Sequence, residues 1–322
     1  MPETTAGVVV TYFPDDDFAG RLSSIAREVS PVLVVDNTDE PVAREAVRRV
    51  ALQAGALWFP QPNNRGTAGA LNEAFSWLVG HGHTRVIAFD QDSTPDAGLA
   101  ENLLRCAGAH PTAAVIGSNW RDEARPDAPS LHLVGRRSVP WFRRVRADDD
   151  LAHVAFVITS GSYFSLEAWR AIGPFAEALF LDLVDTEYCL RAVAAGWDVV
   201  VAAGARLRHR RGAKTPVPRF GRTWWPANMP PDRIHLLIRN RTWMIKQYGS
   251  AHASWASFEL AHTVFMVFSA LFLEPARGVK VSAFMRGLDD GMHNRLGPPR
   301  WATAPHSGSH PNDDVRSTGL QV

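Results

Sequence analysis

Arg85-Val86-Ile87-Ala88-Phe89-Asp90-Gln91-Asp92-Ser93 is the stretch on which the reading of this chain turns. Val86 to Phe89 is short, continuous and apolar, the pattern of a strand buried on both faces. It delivers two carboxylates to its C-terminal tip, and Ser93-Thr94-Pro95 follows. Paired carboxylates at such a tip make a hard oxygen site for Mg²⁺ or Mn²⁺ carrying a diphosphate, because these ions prefer carboxylate, water and phosphate oxygens. Asp-x-Asp alone fits a surface turn equally well. Its meaning therefore depends on what surrounds it.

Working outward, strand and helix signals alternate. Gly7 to Tyr12 reads as a buried strand, Phe18 to Glu28 as a helix, and Val32 to Val35 as a strand ending in Asp36-Asn37. Pro41 to Ala54 is helical, Ala56 to Phe59 a short strand, Thr67 to Val79 a helix, and Leu99 to Ala107 another. The alternation predicts an α/β fold with right-handed crossovers and a mostly parallel central sheet flanked by helices. Ligands of such sheets gather at the carboxyl ends of the strands. Thr11, Asp36 and Asp90 with Asp92 all fall there.

Arg121 to Asp150 is polar and reads as a loop or lid. His153 to Thr159 has strand character, Glu167 to Ala171 is a short helix, Asp185 to Ala195 a helix, and Trp197 to Val201 a strand. Arg206 to Met229 is basic, Pro-rich and without period, the pattern of a mobile loop, and Pro231 to Tyr248 is a helix. Ser254 to Leu273 is strongly apolar, but Glu259 and His262 interrupt it, leaving a core short of the roughly twenty residues that span a bilayer. It fits a core or docking helix and an interfacial membrane helix alike. The expected division is a catalytic unit over 1–229, a C-terminal helical extension over 230–299 that contacts the membrane or another subunit, and a disordered tail over 300–322.

The bulk numbers exclude some classes. With 322 residues, 46% of them hydrophobic, and a formal charge of +1, the chain is ordinary globular protein and lacks the basic excess that nucleic-acid binding needs. The two cysteines, Cys106 and Cys189, lie in apolar helical patterns and read as core residues of a reducing compartment. Met1 to Thr5 has no basic region leading into a long apolar stretch, so the expected location is cytoplasmic, or peripheral on the inner face of the cell membrane.

Several segments carry candidate chemistry. Asp36 can accept from a base N–H or a ribose hydroxyl, or cap the following helix. Asn63 to Asn72 opens a helix with small residues and Arg65, which suits a nucleotide or close packing. Ser160-Gly161-Ser162 lets backbone approach a ligand, or is a plain turn. Asp182, Asp185 and Glu187 cluster at a helix start, where the dipole favours ionised carboxylates, and one of them facing Asp90–Asp92 is a candidate general base. Helix capping explains acids in a first turn, but not Asp182 inside the apolar run Phe180 to Val184. His209 adjoins a basic segment able to fold over a diphosphate, and Arg233, Leu237 and Arg241 share one helix face.

This ordered series resembles the family 2 glycosyltransferases of the GT-A fold, and among them the bacterial rhamnosyltransferases. The match runs from Val8 to Asn240 through Val10-Thr11-Tyr12, Val35-Asp36-Asn37, Asn64-Arg65-Gly66, Asp90-Gln91-Asp92-Ser93, Ser160-Gly161-Ser162, Phe180 to Arg191, His209 and Arg239-Asn240. The resemblance implies metal-dependent, inverting transfer of a sugar from a nucleotide-sugar donor, with dTDP-L-rhamnose the expected one, to a hydroxyl of a growing cell-surface or lipid-linked glycan. It implies that Thr11, Asp36 and Arg65 hold the nucleoside, that Asp90 reaches the ribose or metal-bound water, and that Asp92 and His209 serve the Mg²⁺ or Mn²⁺ and diphosphate. It makes Asp185 the base, with Asp182, Glu187, Ser160 and Gly161 on the acceptor side, and leaves Arg239 and Asn240 without a role. Where relatives read Thr-Tyr-Asn this chain has Thr11-Tyr12-Phe13-Pro14, so its first loop differs. Rival readings are a galactofuranosyl or glucosyl donor on the same scaffold and a silent nucleotide-sugar-binding partner in glycan assembly. A nicotinamide dehydrogenase would need a glycine fingerprint after the first strand, and none is there. Self-association stays open.

Overall fold

A computed structural model describes residues 4–123, 131–134, 140–145, 149–209, 216–299 and 302. Its centre is an eight-stranded sheet in the order β3-β2-β1-β4-β9-β6-β10-β5. The strands are β1 Thr5–Thr11, β2 Val32–Asp36, β3 Leu57–Pro60, β4 Arg85–Asp90, β5 Ser93–Pro95, β6 Ala113–Asp122, β9 Ser162–Ser165 and β10 Asp198–His209. Four of the pairings are parallel and three antiparallel, the latter all involving β9 or β5. The expected mostly parallel sheet is present.

Alternation along each strand builds two cores. Val8 of β1, Leu33 and Val35 of β2, and Val86 and Ala88 of β4 enter one, with Leu71, Phe75 and Leu78 of α3 (Gly66–Gly80) and Leu190 of α6 (Val184–Ala194). Val9, Val32, Val34, Ile87 and Phe89 enter the other, against Phe18, Leu22 and Ile25 of α1 (Phe18–Glu28) and Leu99 and Leu103 of α4 (Leu99–Ala109). Helix α2 (Pro41–Gln53) adds Val47 and Ala51 to this second side, and α5 (Leu166–Ile172) adds Leu166 and Ala168 to the first. Both strand faces are covered, which is why β4 reads as a continuous apolar run.

Three expectations are corrected. His153 to Thr159 is not a strand; only isolated bridges, Leu151 with Val201 and Val134 with Val154, occur there. Its apolar letters reflect burial without pairing. Both edges of β6 are taken, by β9 and β10, and Val157 lies over the sheet, where a Cβ on Gly117 would come within 2.6 Å of it. The stretch from Arg206 is not simply a loop. Arg206 to His209 continues β10, held by β6 on one side and β5 on the other, and Val217–Arg219 (β11) pairs with Arg222–Trp224 (β12) as a hairpin. Arg210, Arg211 and Gly212, and the tail over 303–322, lie outside the described residues. The expected loop over Arg121 to Asp150 is described only in part, and there it contains the small hairpin β7 (Leu131–Leu133) and β8 (Phe142–Arg144).

Three helices follow: α7 Pro231–Tyr248, α8 Ala253–Phe272 and α9 Arg277–Met292. Met244 and Trp255 bury into the same core as α3 and α6, so this extension continues the packing of the sheet unit. Sequence reading left α9 unassigned. It lies against α7 at Gly287 and Gly291, where an added Cβ would meet the carbonyl oxygens of His235 and Arg239 at 2.5 Å each. The signal was Ala283, Gly287 and Gly291, four apart on one face.

Candidate active site

Strand register sets the floor of the site. Thr11 pairs with Asp36, and Val10 with Asp90, so three expected site residues stand side by side at the carboxyl edge of the parallel strands. Asp36 is fully buried. Its carboxylate accepts from Thr11 Oγ1 at 3.3 Å, Thr38 N at 2.9 Å and Trp58 Nε1 at 3.1 Å. These bonds tie β1, β2 and β3 together at their tips.

Gln91, between the two aspartates, fastens the first loop to the site. Its side-chain oxygen accepts from Tyr12 N at 2.7 Å, and its amide donates to Tyr12 O at 3.1 Å. Phe13, at a φ of 44°, donates from its backbone to Thr38 Oγ1 at 3.1 Å. The departure at Thr11-Tyr12-Phe13-Pro14 is thereby built into the loop's own hydrogen bonds.

His209 arrives through β10. The antiparallel pairing of β10 with β5 sets His209 opposite Ser93, immediately after the Asp-Gln-Asp run. His209 Nδ1 shares a 2.7 Å hydrogen bond with Ser93 Oγ and lies 3.5 Å from Asp92 Oδ1. Candidate ligand atoms of Asp90, Asp92 and His209 all fall within 4.8 Å of one another. Burial, together with the charges of Asp92 and Asp185, pushes Asp90 up to about 8. Two oxygen donors and one nitrogen donor with surplus negative charge fit a divalent cation, which would relieve that repulsion.

The turn at Ser160-Gly161 joins this group to the helix that carries Asp185. Ser160 Oγ accepts from Asp90 N at 3.0 Å and donates to Ser93 Oγ at 2.6 Å. Thr159 N, one residue earlier, donates to Asp185 Oδ2 at 3.2 Å. Gly161 has a φ of +67°, and a Cβ there would meet Ser118 Oγ at 2.8 Å and Leu207 at 2.9 Å. Asp185 stands in the first turn of α6 and also accepts from Thr186 N at 2.7 Å. Burial pushes its carboxyl above the ordinary range against those hydrogen bonds, and Asp182 adds to the rise. A desolvated carboxylate of this kind is suited to take up a proton.

The other acids of the segment behave differently. Asp182 Oδ1 accepts from Arg233 Nη2 of α7 at 3.1 Å, and Oδ2 is buried with no hydrogen-bond partner among the described residues. Asp182, with Asp90 and Asp92 beyond it, holds Arg233 firmly charged. Glu187 faces away from this chemistry. It is buried against Arg191, with bonds of 2.7 and 2.9 Å, and accepts from Tyr248 Oη at 2.7 Å.

Arg65 is paired with Glu73 and, at 2.9 Å, with Glu177. Its segment acts through backbone. Gly66, at a φ of +65°, opens α3 directly beneath Phe180, and a Cβ there would lie 2.2 Å from the Phe180 carbonyl oxygen. Asn240 holds the same turn from the other side, donating to Leu179 O and Asp182 O at 2.8 Å each, and Arg239 donates to Ala178 O at 3.4 Å. Arg239 and Asn240, left without a role by sequence, are the support of the Asp182 loop. Gly66→Ala should therefore lower unfolding free energy by at least about 2 kcal/mol, from the positive φ and the backbone clash together. Denaturant titration checks this, and a variant within about 0.5 kcal/mol of wild type would remove Gly66 as the anchor of that turn.

Sequence reading missed Gln91, Ser93 and Arg233 as members of the site. Gln91 and Ser93 stood inside the quoted stretch, and Arg233 was visible only as one charge on a helix face. Cys106, expected in the core, is buried next to His110 and Asp150; burial and Asp150 push its thiol up to about 12, which keeps it protonated.

Comparison with known proteins agrees with this architecture. Residues 7–225 match the family described as glycosyltransferase like family 2. The chain is 25% identical over 222 residues to the dTDP-rhamnosyl transferase RfbF of Shigella flexneri, covering 67% of this chain and 72% of that protein. Among solved structures it is similar to S. aureus TarS, at 12% identity and a TM-score of 0.53 over 93% of this chain, which spans only half of the TarS chain. It is similar also to residues 1–349 of TarS in complex with UDP-GlcNAc, at 12% identity and a TM-score of 0.54, with 88% and 81% of the two chains covered. At that identity the likeness is one of fold, and the fold is the GT-A type. With two thirds of its length matched and its strand-tip acids gathered into one site, this chain belongs to the family 2 glycosyltransferases.

Proposed function

We propose that the protein is an inverting, metal-dependent rhamnosyltransferase that moves L-rhamnose from dTDP-L-rhamnose to a hydroxyl of a growing cell-surface or lipid-linked glycan. The observation that carries the reading is the continuous link Asp185–Thr159/Ser160–Asp90/Ser93–His209, which ties a raised carboxyl to a cation-ready group through a single turn. The donor assignment rests on the likeness to the Shigella dTDP-rhamnosyl transferase.

In this reading Asp90, Asp92 and His209 would hold Mg²⁺ or Mn²⁺, which when bound would supply positive charge to offset that of the departing diphosphate. Arg233, beside Asp182, Asp90 and Asp92, adds a fixed positive charge to the same place. Asp185 takes the proton of the acceptor hydroxyl as its oxygen bonds to the anomeric carbon. The bond from that carbon to the diphosphate oxygen breaks in line, the nucleoside diphosphate leaves, and the configuration inverts. Thr11 and Asp36 form the nucleoside floor, and Arg65, engaged by Glu73 and Glu177, is assigned to it by the resemblance alone. Asp182, whose buried Oδ2 has no hydrogen-bond partner among the described residues, is assigned to the acceptor side. Ser160 and Gly161 position the base and the metal group relative to each other.

The test is a panel of dTDP-L-rhamnose, UDP-galactofuranose and UDP-glucose with the purified protein and either metal, followed by thermal stabilisation and donor hydrolysis. The rhamnosyl donor should give the largest shift and the fastest metal-dependent hydrolysis. A larger response to a UDP-hexose would move the donor assignment, and no response to any nucleotide sugar would overturn the transferase reading.

A further inference from the structure

Helix α8 is apolar but not a core helix: 22% of its most apolar eighteen-residue window is buried. Its midsection exposes Leu260 (54%), Val264 (70%) and Phe265 (38%), and its end exposes Leu271 and Phe272. The β11–β12 hairpin extends this surface. Phe220, at its tip and 62% exposed, contacts the rings of Phe268 and Phe272, and Trp224 contacts Phe265 and Phe268. Arg219 Nη1 donates to Phe272 O at 2.6 Å, binding the hairpin to the end of the helix. Helix α9 begins at Arg277, five residues beyond Phe272, and exposes Val281, Met285, Leu288 and Met292 at helical spacing.

Charge identifies what covers this face. From Ala253 to Leu288 the only carboxylates are Glu259 and Glu274. Both are buried, and both are neutralised by buried cations, Arg241 at 2.6 Å and Lys280 at 2.7 Å. The exposed charges of that stretch are Arg277 and Arg286, and the hairpin adds Arg219 and Arg222, the latter with its guanidinium 4.4 Å from the Trp224 ring centre. Among the described residues the exposed charges beside the α8 stripe and on the hairpin are positive, and the exposed carboxylate of α9, Asp289, is paired with His293 and Arg295. Two copies meeting through this face would oppose arginine to arginine, whereas an anionic bilayer complements it.

We propose that the α8 stripe with the hairpin tip, continued by α9, seats the protein on an anionic lipid surface. The helix lies along the bilayer and does not cross it. Ser254, Trp255 and Ala256 at one end and Ser269 and Ala270 at the other are buried in the protein, and the Arg241–Glu259 pair fixes the first third, so both ends stay on one side. Leucine, valine and phenylalanine side chains enter the acyl boundary while the arginines remain among the headgroups.

The experiment uses the full chain in co-sedimentation with vesicles of phosphatidylcholine alone or with added phosphatidylglycerol, at low and high salt. Wild type should pellet with the anionic vesicles, release at high salt, and ignore the neutral ones. Arg277→Gln and Arg286→Gln should each weaken partitioning about fivefold, and Leu260→Gln with Val264→Gln should abolish it. All four positions are exposed, so melting temperatures should stay at the wild-type value. Wild type remaining in the supernatant with every vesicle would overturn the proposal, as would equal binding to neutral vesicles. So would a dimer in sedimentation velocity that Leu260→Gln with Val264→Gln dissociates, because the face would then be a self-interface. None of these readouts depends on sugar transfer, so this proposal and the rhamnosyltransferase reading fail independently.

Discussion

Asp185→Asn should transfer sugar about two to four orders of magnitude more slowly than wild type while binding nucleotide sugar with unchanged affinity. The substitution keeps size and removes proton uptake. Its expected melting temperature is close to wild type, for a reason the site supplies. Burial raises the Asp185 carboxyl in the folded protein, so between its unfolded and folded titration points the native state holds more proton, and stability declines as pH rises through that window. At neutral pH the ionised group is therefore a net cost to folding, and its loss offsets the roughly 1 kcal/mol forfeited at the Thr159 N–H. The same shift predicts the acid limb of kcat/KM. Activity should fall with decreasing pH at a midpoint above the ordinary aspartate value of about 3.9, and Asp185→Asn should lack that limb. Transfer at a near wild-type rate would move the base to Asp182, whose Oδ2 is buried with no hydrogen-bond partner among the described residues. Glu187 is a poorer successor, since both its oxygens are taken up by Arg191 and Tyr248.

Asp92→Asn should behave in the opposite way on binding. It removes one charge from the Asp90–Asp92–His209 group, so metal and donor affinity should fall together with turnover, by about a hundredfold or more in kcat/KM. Chelation of the wild-type protein should abolish transfer, and Mg²⁺ or Mn²⁺ should restore it. A second readout does not involve activity. Either ion alone should raise the melting temperature of wild type by offsetting the burial and the repulsion from Asp92 and Asp185 that lift Asp90, and should leave Asp92→Asn nearly unmoved. Full transfer in excess chelator would end the metal-dependent reading, whatever Asp185→Asn does. The contrast between the two variants separates proton transfer from donor binding, which neither shows by itself.

What could be read from the sequence was whatever local pattern dictates. Strand β4 and helices α1, α6 and α7 fell within a residue or so of their expected bounds, because burial on both sheet faces and 3.6-residue periodicity leave direct marks in the letters. Asp90, Asp92 and Asp36 were found for the same reason: strand tips are local features. The sheet's antiparallel members were not legible. Ser93–Pro95 and Ser162–Ser165 are too short for a period, and they are strands only because β10, β4 and β6 offer edges to pair with. His153 to Thr159 carried strand letters yet makes only the single bridge of Val154 with Val134, since apolar side chains report burial and not which edge is free.

The site divides along the same line. Residue types and order were enough to nominate Asp185 and His209. That Ser160 and Ser93 link them through hydrogen bonds, that Glu187 is held by Arg191 and Tyr248, and that Arg65 faces Glu73 and Glu177 depend on contacts between residues as many as 116 positions apart. Nothing in local sequence encodes such distances. Ser254 to Leu273 shows the limit most plainly. Its composition allowed a core or docking helix and an interfacial membrane helix alike, and only packing shows that its two ends are buried while Val264 stays exposed. Composition sets how much apolar surface a helix has, while the tertiary structure sets how much of it the protein can cover.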